Sequence, residues 1–221
     1  MNVTNRLLAA TAATAMAVAA PAAAQMQRMD PATAWSQYSE ARKNMASAGN
    51  VMSGDVTNGF NMLGNIRDLI LTPNGSQVEY VLYEVPFPWS TYGANDRGFV
   101  AWDNVAIEGS FGGDLNIRID DDADAQSPDR LTLTAAQAER RLASNIIGSM
   151  LTFSDGQQRE IEDILFDRNS GAITSYVVQF DNQSVFGSDT RRIPASAVTM
   201  QADGRMMLRT PSNTDYLIWI P

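Results

Sequence analysis

The stretch Asn65-Ile66-Arg67-Asp68-Leu69-Ile70-Leu71, then Thr72-Pro73-Asn74-Gly75, then Val78-Glu79-Tyr80-Val81-Leu82-Tyr83-Glu84-Val85, decides the fold. Two runs of branched and aromatic residues flank a Pro/Gly turn, the pattern of a β-hairpin. Pro73 presets φ at the second turn position, and Gly75 tolerates the left-handed backbone that the return requires. About 95 residues further on the pattern recurs, and recurrence at a fixed spacing marks a duplicated unit. There Glu160-Ile161-Glu162-Asp163-Ile164-Leu165-Phe166 leads through Asp167-Arg168-Asn169-Ser170-Gly171 into Ile173-Thr174-Ser175-Tyr176-Val177-Val178-Gln179-Phe180.

The correspondence extends in both directions. Upstream, Asn50-Val51-Met52 precedes the turn Asn58-Gly59, and Asn145-Ile146-Ile147 precedes Ser154-Asp155-Gly156. Downstream, a loop containing Gly93 or Gly187 is followed by Val100-Ala101-Trp102-Asp103-Asn104-Val105 or Ile193-Pro194-Ala195-Ser196-Ala197-Val198, then by Leu115-Asn116-Ile117-Arg118-Ile119 or Met206-Met207-Leu208. Many short strands with closely spaced turns predict an all-β fold of sandwich or barrel type. Alternation along the second strand of the first copy sets Val78, Tyr80 and Leu82 against Val81, Tyr83 and Val85, so both faces are apolar. One face fills a barrel and the other serves a contact between elements, which suits two small barrels in tandem.

Helical signals are few. Asp30-Pro31 is an N-cap and first-turn pair opening a stretch that runs to about Ala46. Thr134 and Gln137 form a capping box ahead of Ala138 and Leu142, predicting a short helix between the copies. Residues 120–144 are read as an acidic linker with this helix, 25–49 as an N-terminal helical or partly disordered segment, 50–119 as the first repeat and 145–221 as the second repeat with a C-terminal tail. Within the tail, Tyr216-Leu217-Ile218-Trp219-Ile220 reads as a last strand docking on the body.

These motifs resemble the PRC-barrel family: an Ile-x-Asp strand, a glycine turn, a Tyr-Val strand, a glycine loop, and Val-Ala-Trp or Ile-Pro-Ala before a valine. The resemblance covers roughly residues 50–119 and 145–210. The second copy is the closer match, from Ile147-Gly148 through Phe153-Ser154-Asp155-Gly156 to Ile193-Pro194. In the first, Pro86-Phe87-Pro88-Trp89 enlarges the loop after the central strand. The resemblance implies a strongly bent small barrel and a role in contact with other macromolecules, with no particular partner transferred.

The 221-residue chain has no cysteine and no histidine, and carries 16 Lys+Arg against 25 Asp+Glu for a net charge of -9. Disulfide scaffolds, zinc ribbons, iron–sulfur clusters, thiol nucleophiles and His-dependent triads are thereby excluded. The acidic balance argues against nucleic-acid binding. Lys43 is the lone lysine and falls in a predicted helix, which disfavours a Ser-Lys pair. Residues 1–24 read as a cleavable secretory signal: Arg6 in a short leading region, an Ala-rich run from Leu7 to Ala20, and cleavage after Ala24. The run is short for a membrane core of about 30 Å and is diluted by Thr11 and Thr14. The expected location of the mature chain is the periplasm, with no transmembrane segment.

Candidate sites follow from this frame. Asp68 and Asp163 repeat on the same alternation face as Ile66 and Ile70, or Ile161 and Leu165, so each carboxylate must be hydrogen-bonded or lie at a bulge. They are read as structural carboxylates accepting backbone N–H groups where the strand bends, with a binding or acid–base role as the alternative. Asp120, Asp121, Asp122 and Asp124 lack the alternating spacing, turn glycine and distal carboxylate of a calcium loop and read as a solvated run. Phe87, Trp89 and Tyr92, on a loop stiffened by Pro86 and Pro88, are candidate partner-binding anchors together with Trp102; the alternative is that the loop folds back over an open barrel end or the interface between the copies. The expected function is a non-enzymatic exported protein acting as a protein-interaction or structural module of the cell envelope, without cofactor or metal. The alternatives are a small-ligand binder and an enzyme using paired carboxylates.

Overall fold

The computed structural model describes residues 43–58, 61–85, 96–109, 115–119, 133–181, 189–214 and 217–218. Strands in the first half are β1 (Met45–Ser47), β2 (Asp55–Asn58), β3 (Asn61–Leu71), β4 (Val78–Val85), β5 (Asp96–Ala101), β6 (Val105–Glu108) and β7 (Asn116–Ile119). Those of the second are β8 (Met150–Thr152), β9 (Gln158–Asp167), β10 (Ile173–Asp181), β11 (Asp189–Pro194), β12 (Val198–Met200), β13 (Met206–Leu208) and β14 (Leu217–Ile218). Short helices at Ala48–Met52 and Ala143–Ile146 precede β2 and β8.

The chain is mostly β, in two curled sheets of which one is a half-barrel. One sheet runs β5-β4-β3-β2-β7-β6. The other, taken from its β14 end, runs β14-β11-β10-β9-β8-β13-β12, with β1 also paired to β9. Apart from β14 and β1, the second order repeats the first strand for strand. Both include one parallel ladder at the same place, β2 with β7 and β8 with β13.

Two bulges in each central hairpin explain which side chains face the core. Between Ile66 and Asp68 the register slips past Arg67, and between Ile161 and Asp163 it slips past Glu162. An extra residue reverses the alternation. Ile66 and Ile161 therefore enter the main apolar cluster, whereas Asp68 and Asp163 turn to the opposite face with Ile70 and Leu165. This corrects the expectation that each aspartate shares a face with the isoleucine before it. The second slip passes Glu79 and Thr174. It brings Val78 into the cluster beside Val81 and Tyr83, correcting the simple alternation expected for β4.

The core filling also corresponds: Leu69, Leu71 and Val100 in one half, Ile164, Phe166 and Ile193 in the other, within a single cluster that joins both halves. The capping box at Thr134 and Gln137 forms and starts the helix Ala135–Glu139. The helix expected to run to about Ala46 does not reach that far, because Met45–Ser47 pairs with Asp167, Phe166 and Leu165 as β1. In the C-terminal segment, Leu217 and Ile218 pair with Arg192 and Arg191 of β11. Residues 1–42, the loop of Phe87, Trp89 and Tyr92, the acidic run and Trp219 lie outside the described residues.

Candidate functional site: the seam between the halves

Each half begins with a lead-in segment that is bound by the other half. Ser47 pairs with Leu165, and Arg168 N donates to Asn44 O at 2.8 Å. Reciprocally, Leu142 bridges Ile70, and Leu71 N donates to Arg141 O at 2.9 Å.

The repeated aspartates hold these crossings. Asp163 Oδ1 accepts from Ile164 N at 2.8 Å and Gly49 N at 3.1 Å, while Ser47 Oγ donates to Oδ2 at 2.5 Å. Asp68 Oδ1 accepts from Leu69 N at 2.8 Å and Ser144 N at 3.1 Å, and Ser144 Oγ donates to Oδ2. Each carboxylate thus reaches across to the first turn of the helix that opens the other half. Charge at a helix start satisfies amides that lack an intrahelical partner. Burial raises Asp163 above the usual aspartate range, and the bonds from Ser47, Gly49 and Ile164 pull the other way.

The hairpin turns meet between these crossings. Val78 N donates to Gly171 O and Ile173 N to Ser76 O, both at 2.9 Å, around the facing pair Gln77 and Ala172. Gln77 Nε2 also donates to Ser170 O at 2.8 Å. Tyr176 donates its hydroxyl to Gly75 O at 3.2 Å, and burial pushes the Tyr176 phenol well above its ordinary range. Trp102 packs edge-on against Phe166, ring centres 5.3 Å apart, and its indole covers Gly171. At 3% exposure Trp102 is a seam residue, and its assignment as a partner-binding anchor is corrected. Its Nε1 is buried with no hydrogen-bond partner.

Two crevices flank the seam, and they are built alike. A crevice of about 380 Å³ lies between Arg140 and Arg141 of one lead-in, Pro73 of the opposite hairpin turn, and Met200, Gln201, Ala202 and Gly204. One of about 350 Å³ lies between Lys43 and Asn44, Arg168 and Asn169 of the other turn, and Val105 to Ile107. Their cations are tied into the walls. Arg140 donates to the carbonyls of Ala136 and Ala202 at 3.1 Å, and Arg168 to those of Ile107 and Gly109 at 3.0 Å. Arg141 bonds to Leu71 O and pairs with Glu79. No aspartate or glutamate is among the residues described as lining either crevice. Such surroundings suit an anion.

The partners Ser47 and Ser144, and the basic crevices, were not foreseen from the sequence. The signal for the serines is faint: the repeat continues upstream through Ala48-Gly49 and Ala143-Ser144, just before the hydrophobic pattern starts. Among the described residues no helix is long and apolar enough to cross a membrane. No protein-family model matches the chain, and no curated protein matches it.

Proposed function

We propose that this chain is an exported, non-catalytic module of two PRC-barrel-type units in tandem, which binds another protein of the periplasm or cell envelope. The observation that carries this reading is the use of Asp68 and Asp163. The repeated carboxylates, the strongest acid–base candidates, are occupied by the amides and hydroxyls of the opposite half. The repeated chemistry thus serves architecture. Shared strand order and bulge positions support two equivalent units, and residues 1–24 support export.

The partner surface in this reading is the aromatic loop Phe87, Trp89 and Tyr92. A photo-crosslinking residue placed at position 89 in cells producing the chain should give a discrete adduct, absent when the probe is at exposed Asn213. Equal labelling at both positions, or none at 89, would overturn it. Mass measurement of the envelope fraction checks export: the chain should begin at Gln25, and an uncleaved chain confined to the cytoplasm would contradict export.

The basic crevices favour a second reading, a binder of small anions. Millimolar di- and tricarboxylates should then raise the melting temperature, and Arg168→Gln combined with Arg140→Gln should abolish the rise.

A further inference from the structure

All the large apolar side chains that stand exposed among the described residues are methionines: Met62 at 55%, Met150 at 52% and Met207 at 38%. Internal comparison shows that none of the three is required by the fold. Met62 faces Thr57 across β2 and β3, just past a one-residue slip at Leu63, and in the other half Thr152, the counterpart of Thr57, faces Gln158. Met150 faces Glu160, where Asp55 faces Asn65. Met207 lies between Thr199 and Thr152, where Arg118 lies between Ala106 and Thr57. The same solvent positions therefore accept Gln, Asp and Arg. Thioethers occupy sites that the architecture fills elsewhere with polar groups.

We propose that Met62, Met150 and Met207 are sites of reversible sulfoxidation, taking up oxidant at the surface without disturbing the core. The co-reactant is a peroxide. The thioether sulfur attacks one peroxide oxygen, an S–O bond forms as the O–O bond breaks, and the second oxygen leaves as water after proton transfer. Sulfur loses two electrons and the peroxide gains them. With cysteine absent from the whole chain, no thiol competes. The product is polar, like the side chains at the equivalent positions. Gln201 Nε2 already donates to Met207 Sδ at 2.6 Å, so an amide donor stands ready for the sulfoxide oxygen.

Adjacent residues supply an internal control. Met206 and Met207 are consecutive on β13, yet Met206 is 1% exposed, and Met45 is 3% exposed in β1. Oxidant reaches such sulfurs only through opening of the fold. The test is treatment of the folded chain with hydrogen peroxide, followed by residue-resolved peptide mass mapping and a melting curve. Sulfoxide should form at Met62, Met150 and Met207 on the order of tenfold or more faster than at Met45 and Met206, with the melting temperature unchanged and the thioethers restored by methionine sulfoxide reductases. Equal rates at Met206 and Met207, or a lowered melting temperature once the three exposed sites are oxidised, would overturn the proposal. The triple variant M62Q/M150Q/M207Q should melt with the parent and lose the fast uptake phase. Its failure to fold would mean that the thioethers are packing groups, and would also overturn it.

Discussion

The two halves agree in backbone and differ in what covers the seam. Gly75 and Gly171 close equivalent turns with φ of 67° and 71°. A Cβ on Gly171 would lie 2.6 Å from Trp102 Nε1, whereas one on Gly75 would meet the terminal methyl of Met200 at 3.0 Å. On the other sheet face, Tyr80 and Phe99 form an edge-on pair in the first half, while Arg192 donates to Ser175 Oγ at 2.5 Å in the second. Strand order, the bulges of the central hairpins and the carboxylate caps repeat through all of this. Backbone pairing defines the unit, and the side chains filling it are exchangeable wherever they do not bind backbone. A rigid indole seals one side of the seam and a flexible thioether the other.

The largest effect should come from removing that rigid seal. Trp102→Ala leaves a cavity against Phe166 and Gly171 and should destabilise by about 3–5 kcal/mol. Met200→Ala, at the counterpart contact and only partly buried, should cost about 1–2 kcal/mol. Urea denaturation of both variants measures the difference. Equal costs would show that the seam is sealed symmetrically after all.

The glycines probe the same asymmetry from the opposite side. Alanine at either position pays for the left-handed backbone, roughly 1–2 kcal/mol. Gly171→Ala adds the indole collision, so it should lower the melting temperature more than Gly75→Ala. Combining it with Trp102→Ala should recover part of the loss, and strict additivity would argue that the indole is not what confines the turn.

How much of this was legible in the sequence depends on the distance over which each feature is determined. The hairpin of Pro73 and Gly75 and the capping box of Thr134 and Gln137 depend on neighbours a few residues away, and the turn and helix form where the residues predict them. The orientation of Asp68 depends on a one-residue slip at Arg67, which composition does not announce because a bulge is fixed by the partner strand. Its hydroxyl partner, Ser144, belongs to the other half, and no local pattern links the two. Trp102 is followed by the polar Asp103 and Asn104, and nothing local to it marks it as buried. Its burial is set by Phe166 and Gly171, which arrive from the second repeat.

The Asp163 cap gives a pH-dependent test. Asp163→Ala leaves Gly49 N and Ser47 Oγ without their acceptor and should cost about 1–3 kcal/mol. Because burial raises Asp163, the folded chain holds this proton more tightly than the unfolded chain does. Its contribution is complete below the unfolded value near 3.8 and is lost as pH rises through the higher folded value. Asp163→Asn has no such titration. Its melting temperature relative to the parent should therefore improve from about pH 3 to about pH 7, and a constant difference across that range would show that burial does not control this group.

The smallest effect distinguishes the two serines. Ser47 is the N-cap of Ala48–Met52: its Oγ accepts from Asn50 N at 3.2 Å while donating to Asp163. Ser144 lies one residue inside its helix, where the N-cap is Leu142 without a side-chain bond, and its hydroxyl donates to Asp68. Ser47→Ala removes a cap and a crossing bond together and should cost about 1–2 kcal/mol. Ser144→Ala removes the crossing bond while the Ser144 amide still donates to Asp68, so about 0.5–1.5 kcal/mol is expected. Double-mutant cycles of each serine with its aspartate isolate the crossing bond from the cap. Similar coupling energies, alongside a larger single-mutant loss at Ser47, would establish that the two halves share the crossing and differ in the cap. Coupling at one serine alone would mean that only one half is held by its carboxylate, with the other kept in place by strand pairing.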